Sequence, residues 1–128
     1  IRCGGSFMVF NKERDLVRVL LNFAAFFKQE SCGICTPCRA GNFIIQRKLE
    51  RLDNGLAIEE DLKELKTWGE IMKTTSRCGL GKTATNSLIL AMDKFHDYFV
   101  EKLDKSYNGQ SMKFDMEAAT REYETYKK

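Results

Sequence analysis

Residues Glu30 to Gly41 read ESCGICTPCRAG, and they place Cys32, Cys35 and Cys38 at C-x2-C-x2-C between two stretches of helical periodicity. Upstream, Leu16, Leu20, Phe23 and Phe27 recur at three- and four-residue steps with Val17, Leu21 and Ala24 beside them, which predicts a core-facing helix from Lys12 to about Lys28. Downstream, Thr36 is a suitable N-cap and Pro37, the only proline, suits the first helical position, where its missing N–H leaves nothing unpaired. A second helix is expected from there to about Leu52, with Ile44, Ile45, Leu49 and Leu52 inward, ended by Asp53-Asn54-Gly55.

Further outward, Ile58, Leu62, Leu65 and Met72 share one stripe of a third helix, whose first turn carries Glu59, Glu60 and Asp61 toward the positive end of the dipole. A fourth helix is expected from about Lys82 to Leu103 with Leu88, Met92, Phe95 and Phe99 inward. Four helices joined by short connections predict an all-α four-helix bundle. Ser6 to Phe10 (SFMVF) has strand character and predicts a short N-terminal strand remnant. The expected organisation is 1–11 as the end of a preceding domain or a linker, 12–103 as a helical cluster-binding bundle, and 104–128 as a polar tail.

A chain of 128 residues with 43% hydrophobic residues suits one modest core. No stretch approaches the roughly 18 apolar residues of a membrane span, and no secretory signal is visible, so a soluble, cytoplasmic setting is expected. The start at Ile1 reads as entry into a longer polypeptide. Lys and Arg number 21 against 18 Asp and Glu, and the charges are mixed along the chain, which argues against nucleic acid as a partner.

Ser76 to Thr83 (SRCGLGKT) ends like a phosphate-binding loop. A Walker A motif needs its first glycine at position 76, which is Ser76, and needs a preceding β-strand that the residues before it do not supply. The alternative is that the stretch exists for Cys78. Three thiolates on one tight loop cap three corners of a cubane, and a remote fourth closes it once the helices fold, which is the ligation logic of a [4Fe–4S] cluster on Cys32, Cys35, Cys38 and Cys78. Structural zinc prefers two separated C-x2-C pairs, and here the second pair is missing. A bacterial ferredoxin places a fourth cysteine followed by proline after three intervening residues, whereas Arg39-Ala40-Gly41-Asn42 follow here.

The surroundings suit a net-negative group. Cys38 falls in the first turn of the second helix and Cys78 just before the fourth, so two sets of unsatisfied N–H groups point toward it. Gly33, Gly79 and Gly81 are expected to let backbone approach the sulfurs, with Arg39 and Lys82 bringing positive charge. Five cysteines, three of them crowded, make a poor disulfide framework. Cys3 reads as a buried or incidental thiol rather than a ligand, and His96, the only histidine, as a surface or satisfied side chain rather than a relay or ligand. The phenylalanines of Asn22 to Glu30 read as core, with Phe26 and Phe27 near the cluster loop. Glu59, Glu60 and Asp61 read as a helix start with no partner to perturb them.

ESCGICTPCRAG followed about forty residues later by Cys78-Gly79-Leu80-Gly81 resembles the C-terminal iron–sulfur domain of the NADH-binding flavoprotein subunit of respiratory complex I and its relatives. GGSFMVFN ahead of the first helix is similar to the flavin (diaphorase) subunit of NAD-reducing [NiFe] hydrogenases. The resemblance implies one [4Fe–4S] cluster that relays single electrons between the FMN of an NAD(H) oxidoreductase flavoprotein and downstream iron–sulfur clusters. It carries over only Cys32, Cys35, Cys38 and Cys78 as ligands. FMN and NAD(H) are expected on a domain or partner outside this chain, so the chain alone is expected neither to bind nor to oxidise NADH. Implied partners are the FMN/NADH-binding domain or subunit and iron–sulfur subunits of a multi-subunit complex. The competing reading is a helical interaction module clipped by structural zinc.

Overall fold

The computed structural model describes Gly5 and residues 7–106 of the chain. Cys3 and nearly all of the expected tail lie outside the described residues. The described fold is all-α, with helices α1 (Leu16–Glu30), α2 (Thr36–Asp53), α3 (Glu59–Thr75), α4 (Gly79–Thr83), α5 (Asn86–Lys94) and α6 (His96–Glu101). Residues 7–10 are irregular rather than a strand. None of the described helices is long and apolar enough to cross a membrane.

Each long helix starts and stops for a local reason. Asp15 N-caps α1, its carboxylate accepting from the Val17 N–H at 3.0 Å. α2 closes with paired reverse bonds, Leu56 N–H to the Arg51 carbonyl at 2.9 Å and Gly55 N–H to the Leu52 carbonyl at 3.2 Å, while Gly55 takes φ +70°. That is a Schellman ending, and it confirms Asp53-Asn54-Gly55 as the stop. α3 is opened by Asp61, whose carboxylate accepts from the Ile58 N–H at 3.0 Å.

The expected fourth helix is broken into α4, α5 and α6. Its sequence, Thr83-Ala84-Thr85-Asn86-Ser87, is rich in side chains that compete with the helix ladder for backbone groups. The Thr83 hydroxyl donates back to the Gly79 carbonyl at 2.7 Å, and the chain re-enters helix only at Asn86. A second break falls at Phe95, which is 55% exposed rather than inward as its periodicity suggested.

α1 packs on α2, α2 on α3, and α3 on both α4 and α5. Val17, Leu20, Ile45, Leu49, Leu52, Leu62, Leu65, Met72, Leu88, Met92 and Phe99 are buried in one cluster, with Trp68, Phe23 and Phe27 packed against its edge. A fully buried Leu or Phe contributes about 2 kcal/mol relative to its exposed state, so these side chains, rather than any one polar contact, hold the stack. Phe26 departs from the core expectation and is 56% exposed, its ring edge-on to Phe27.

The order of the helices sorts the molecule into two ends. The α1–α2 loop, with its cysteines, and the α3–α4 turn lie at one end. At the other, Asp15 accepts from the Tyr98 hydroxyl at 2.7 Å and from Lys102 Nζ at 2.9 Å, and Tyr98 Oη in turn accepts from the Leu16 N–H at 3.1 Å. This latch ties the start of α1 to α6. Beside it Arg18 reaches Asp53 at 3.4 Å, joining the start of α1 to the end of α2.

Candidate metal centre

Cys32 lies exposed in the loop after α1, Cys35 is the half-buried N-cap of α2, Cys38 is buried in the first turn of α2, and Cys78 is the exposed N-cap of α4. The cap of α2 is therefore Cys35 and not Thr36, which is the first helical residue with Pro37 second. Neither cysteine cap makes a side-chain capping hydrogen bond, and each sulfur stands at a helix N-terminus beside first-turn N–H groups. None of the four forms a disulfide.

Two observations bring the cysteine loop and the α3–α4 turn together. The Arg77 backbone N–H, with that of Cys38, polarises the Cys35 sulfur and holds this thiol below its ordinary range. A Cβ placed on Gly81 would lie 3.1 Å from Cys38 Cβ, 2.5 Å from Ser76 Oγ and 2.6 Å from Ser76 Cβ. Gly81 thus lets α4 close onto α2 where no larger residue fits. The glycines otherwise differ in their parts: Gly33 turns the loop at φ +74°, and Gly79 faces open space.

Cys38 is the most furnished of the four sulfurs. Asn42, one turn on and 3% exposed, donates from Nδ2 to the Cys38 carbonyl at 2.9 Å and stands 3.3 Å from Cys38 Sγ. The Ser31 hydroxyl lies 3.2 Å from the same sulfur and accepts from the Gly33 N–H at 3.3 Å. Ser76 Oγ is buried at the Gly81 contact with no hydrogen-bond partner. An orphaned hydroxyl, two side chains aimed at one sulfur, and helix N-termini at two others form a donor set in search of negative charge. The residues present fit an anionic, thiolate-bound group. Among the described residues no three His, Cys, Asp or Glu side chains converge closely enough to hold a single metal ion.

Arg39 donates from Nη1 to the Gly33 carbonyl and so folds over the loop, while Arg77 and Lys82 are exposed beside Cys78. The phosphate-loop reading of Gly81-Lys82-Thr83 finds no support, since a helix, α3, precedes the segment and the Thr83 hydroxyl is bonded to Gly79. His96 is exposed at the start of α6. Sequence reasoning missed Ser31, Asn42 and Ser76 altogether. It also missed that Asp61 is paired: burial pushes its carboxyl up, but the Lys48 ammonium at 2.7 Å, the Ile58 N–H and Arg51 together hold it below the usual range.

Several known proteins are similar to this chain. The NAD-reducing hydrogenase HoxS subunit alpha of Cupriavidus necator is 39% identical over 124 residues, which is 97% of this chain and 21% of that protein. An NADH-quinone oxidoreductase subunit of Aquifex aeolicus is 33% identical over 102 residues, 80% of this chain and 24% of that protein. A crystal structure of NAD+-reducing [NiFe]-hydrogenase in the H2-reduced state superposes with a TM-score of 0.78 at 32% identity, over 98% of this chain and 22% of that one. The chain spans between a fifth and a quarter of the length of these relatives. The family described as the NADH-ubiquinone oxidoreductase-F iron-sulfur binding region matches residues 18–102, from the first turn of α1 to the end of α6, and to that family the chain belongs.

Proposed function

We propose that the chain is the electron-relay part of an NAD(H)-dependent oxidoreductase, and that Cys32, Cys35, Cys38 and Cys78 hold one [4Fe–4S] cluster. The observation that carries this reading is the meeting of two helix N-termini, each capped by a cysteine, across the Gly81 contact. When bound, the cluster supplies a one-electron couple. The residues of this chain would bind and tune it: the N–H groups at α2 and α4 would offset its charge, Cys38 would hold it from a buried position, and Cys32 and Cys78 would hold it from exposed ones.

By analogy with the relatives, single electrons pass between the FMN of a flavoprotein and downstream iron–sulfur clusters. The FMN and NAD(H) sites belong to parts of those relatives that have no counterpart in this sequence. The partners proposed are therefore an FMN/NADH-binding domain or subunit and iron–sulfur subunits of a multi-subunit complex on the cytoplasmic side. Residues 12–103 form the proposed cluster-binding unit.

The test is iron, sulfide and zinc analysis with visible and EPR spectra on protein purified without oxygen. About four irons and four sulfides per chain, with an EPR signal on reduction, support the relay. One zinc and no sulfide in such a preparation would leave a structural clip and end the proposal.

A further inference from the structure

The four proposed ligands are not equivalent. Cys32 and Cys78 are exposed, whereas Cys38 is 5% exposed and has two side chains on its sulfur. The orientation of each is settled by its second partner. The Cys38 carbonyl can only accept, so the atom of the Asn42 amide beside it is the nitrogen, and that nitrogen has a second hydrogen for the sulfur 3.3 Å away. The Ser31 hydroxyl already accepts from the Gly33 N–H, so its own proton is available to a thiolate that has none. The result is a directed chain, Gly33 N–H to Ser31 Oγ–H to Cys38 Sγ, in which each bond polarises the next.

Both donors act on the charge of the sulfur. Reduction adds negative charge to a cluster and its thiolates, and a donor held on a ligand sulfur stabilises the reduced state more than the oxidised one. In a buried corner water cannot substitute for a lost donor, so the effect is not masked by solvent. We propose that Asn42, with Ser31 as the second donor, is the positioning residue that raises the reduction potential of the centre, acting through the Cys38 sulfur. The inference rests on the reading of Cys38 as a cluster ligand.

The experiment is an EPR-monitored redox titration of the whole chain, cluster-loaded without oxygen, comparing the unaltered protein with Asn42→Leu, Ser31→Ala and the double variant. Leu approximates the shape of Asn and deletes both donors. Iron and sulfide content is measured first. The expected result for Asn42→Leu is undiminished iron with a lower potential, on the order of a tenfold rise in the oxidised-to-reduced ratio at fixed ambient potential, or about 59 mV for one electron. Ser31→Ala is expected to shift the same way by less, and the double variant by more than either. Thr85→Val, which removes another buried hydroxyl bonded to the Gly69 carbonyl and to no cysteine, is expected to change stability without moving the potential.

If Asn42→Leu fails to load, Ser31→Ala carries the test alone. Loaded variants whose potentials match that of the unaltered protein overturn the assignment while the relay stands. Unaltered protein that holds no iron–sulfur cluster fails the underlying reading instead, and the assignment falls with it.

Discussion

At the end of the stack away from the cysteines, Lys48 sits between Asp61 and Glu64, and Arg51 stands 3.4 Å from the same Asp61 carboxylate. At the cysteine end most charges go unanswered: segments 28–47 and 70–85 hold Lys28, Arg39, Arg47, Lys73, Arg77 and Lys82 against only Glu30 and Glu70, and of the six cations Arg47 alone is paired, with Glu50 at 3.3 Å. Among the described residues, Lys28, Arg39, Lys73, Arg77 and Lys82 take part in none of the ion pairs. One end matches its charges and hydrogen bonds within the chain. The other leaves cations unpaired, two helix N-termini without capping side-chain bonds and the buried Ser76 hydroxyl without a partner. The difference separates what makes this chain fold from what makes it useful.

The sharpest way to break that separation is Cys78→Ser. It is expected to abolish the cluster's EPR signal and most of the bound iron while the far-ultraviolet helical signal persists, because the core side chains lie elsewhere. Joint loss of iron and helix would show that the two ends are one unit.

Next in size is Asp61→Ala, which strips a buried carboxylate from Lys48 and from the Ile58 N–H. A loss of about 3 kcal/mol in denaturant unfolding is expected, with iron content unchanged at neutral pH. The pH dependence follows from the same groups. Burial alone would raise Asp61 and Asp15, but the bonds from Lys48 and Lys102 and from backbone N–H hold both below the ordinary carboxylate range. Their contribution is present above the unfolded carboxylate value and is lost as pH falls through the lowered folded values. Acid titration of stability in Asp61→Ala should be shallower than in the unaltered chain; equal slopes would show that Asp61 plays no part in it.

Gly81→Ala sharpens the comparison from the cysteine side. With Ser76 and Cys38 already in the way, a loss of roughly 1–3 kcal/mol and reduced iron content are expected together. Smallest is Tyr98→Phe, which removes one donor to Asp15 and the acceptor of the Leu16 N–H. About 1 kcal/mol of stability and no change in iron are expected.

The cysteine spacing, the three long helices and the stop at Gly55 were legible in the sequence because each is a short-range pattern. The break in the fourth helix was written there too, in Thr83 to Ser87, but apolar periodicity read across it. What stayed hidden needed three dimensions. Lys48 and Asp61 are 13 positions apart on different helices, and Asp15 and Tyr98 are 83 apart. Asn42 sits one turn from Cys38, yet nothing in its identity says that its amide turns back toward sulfur.

The latch of Asp15, Tyr98 and Lys102 has a consequence for how the molecule breathes. A helix of six residues such as α6 does not persist by its own ladder, and the first N–H groups of α1 are held by the Asp15 carboxylate and the Tyr98 hydroxyl. Because that carboxylate also grips α6, fraying at either place undoes the other. Amide protons of Val17 and of α6 should therefore exchange with deuterium at a shared rate, and Tyr98→Phe should speed both by the same factor.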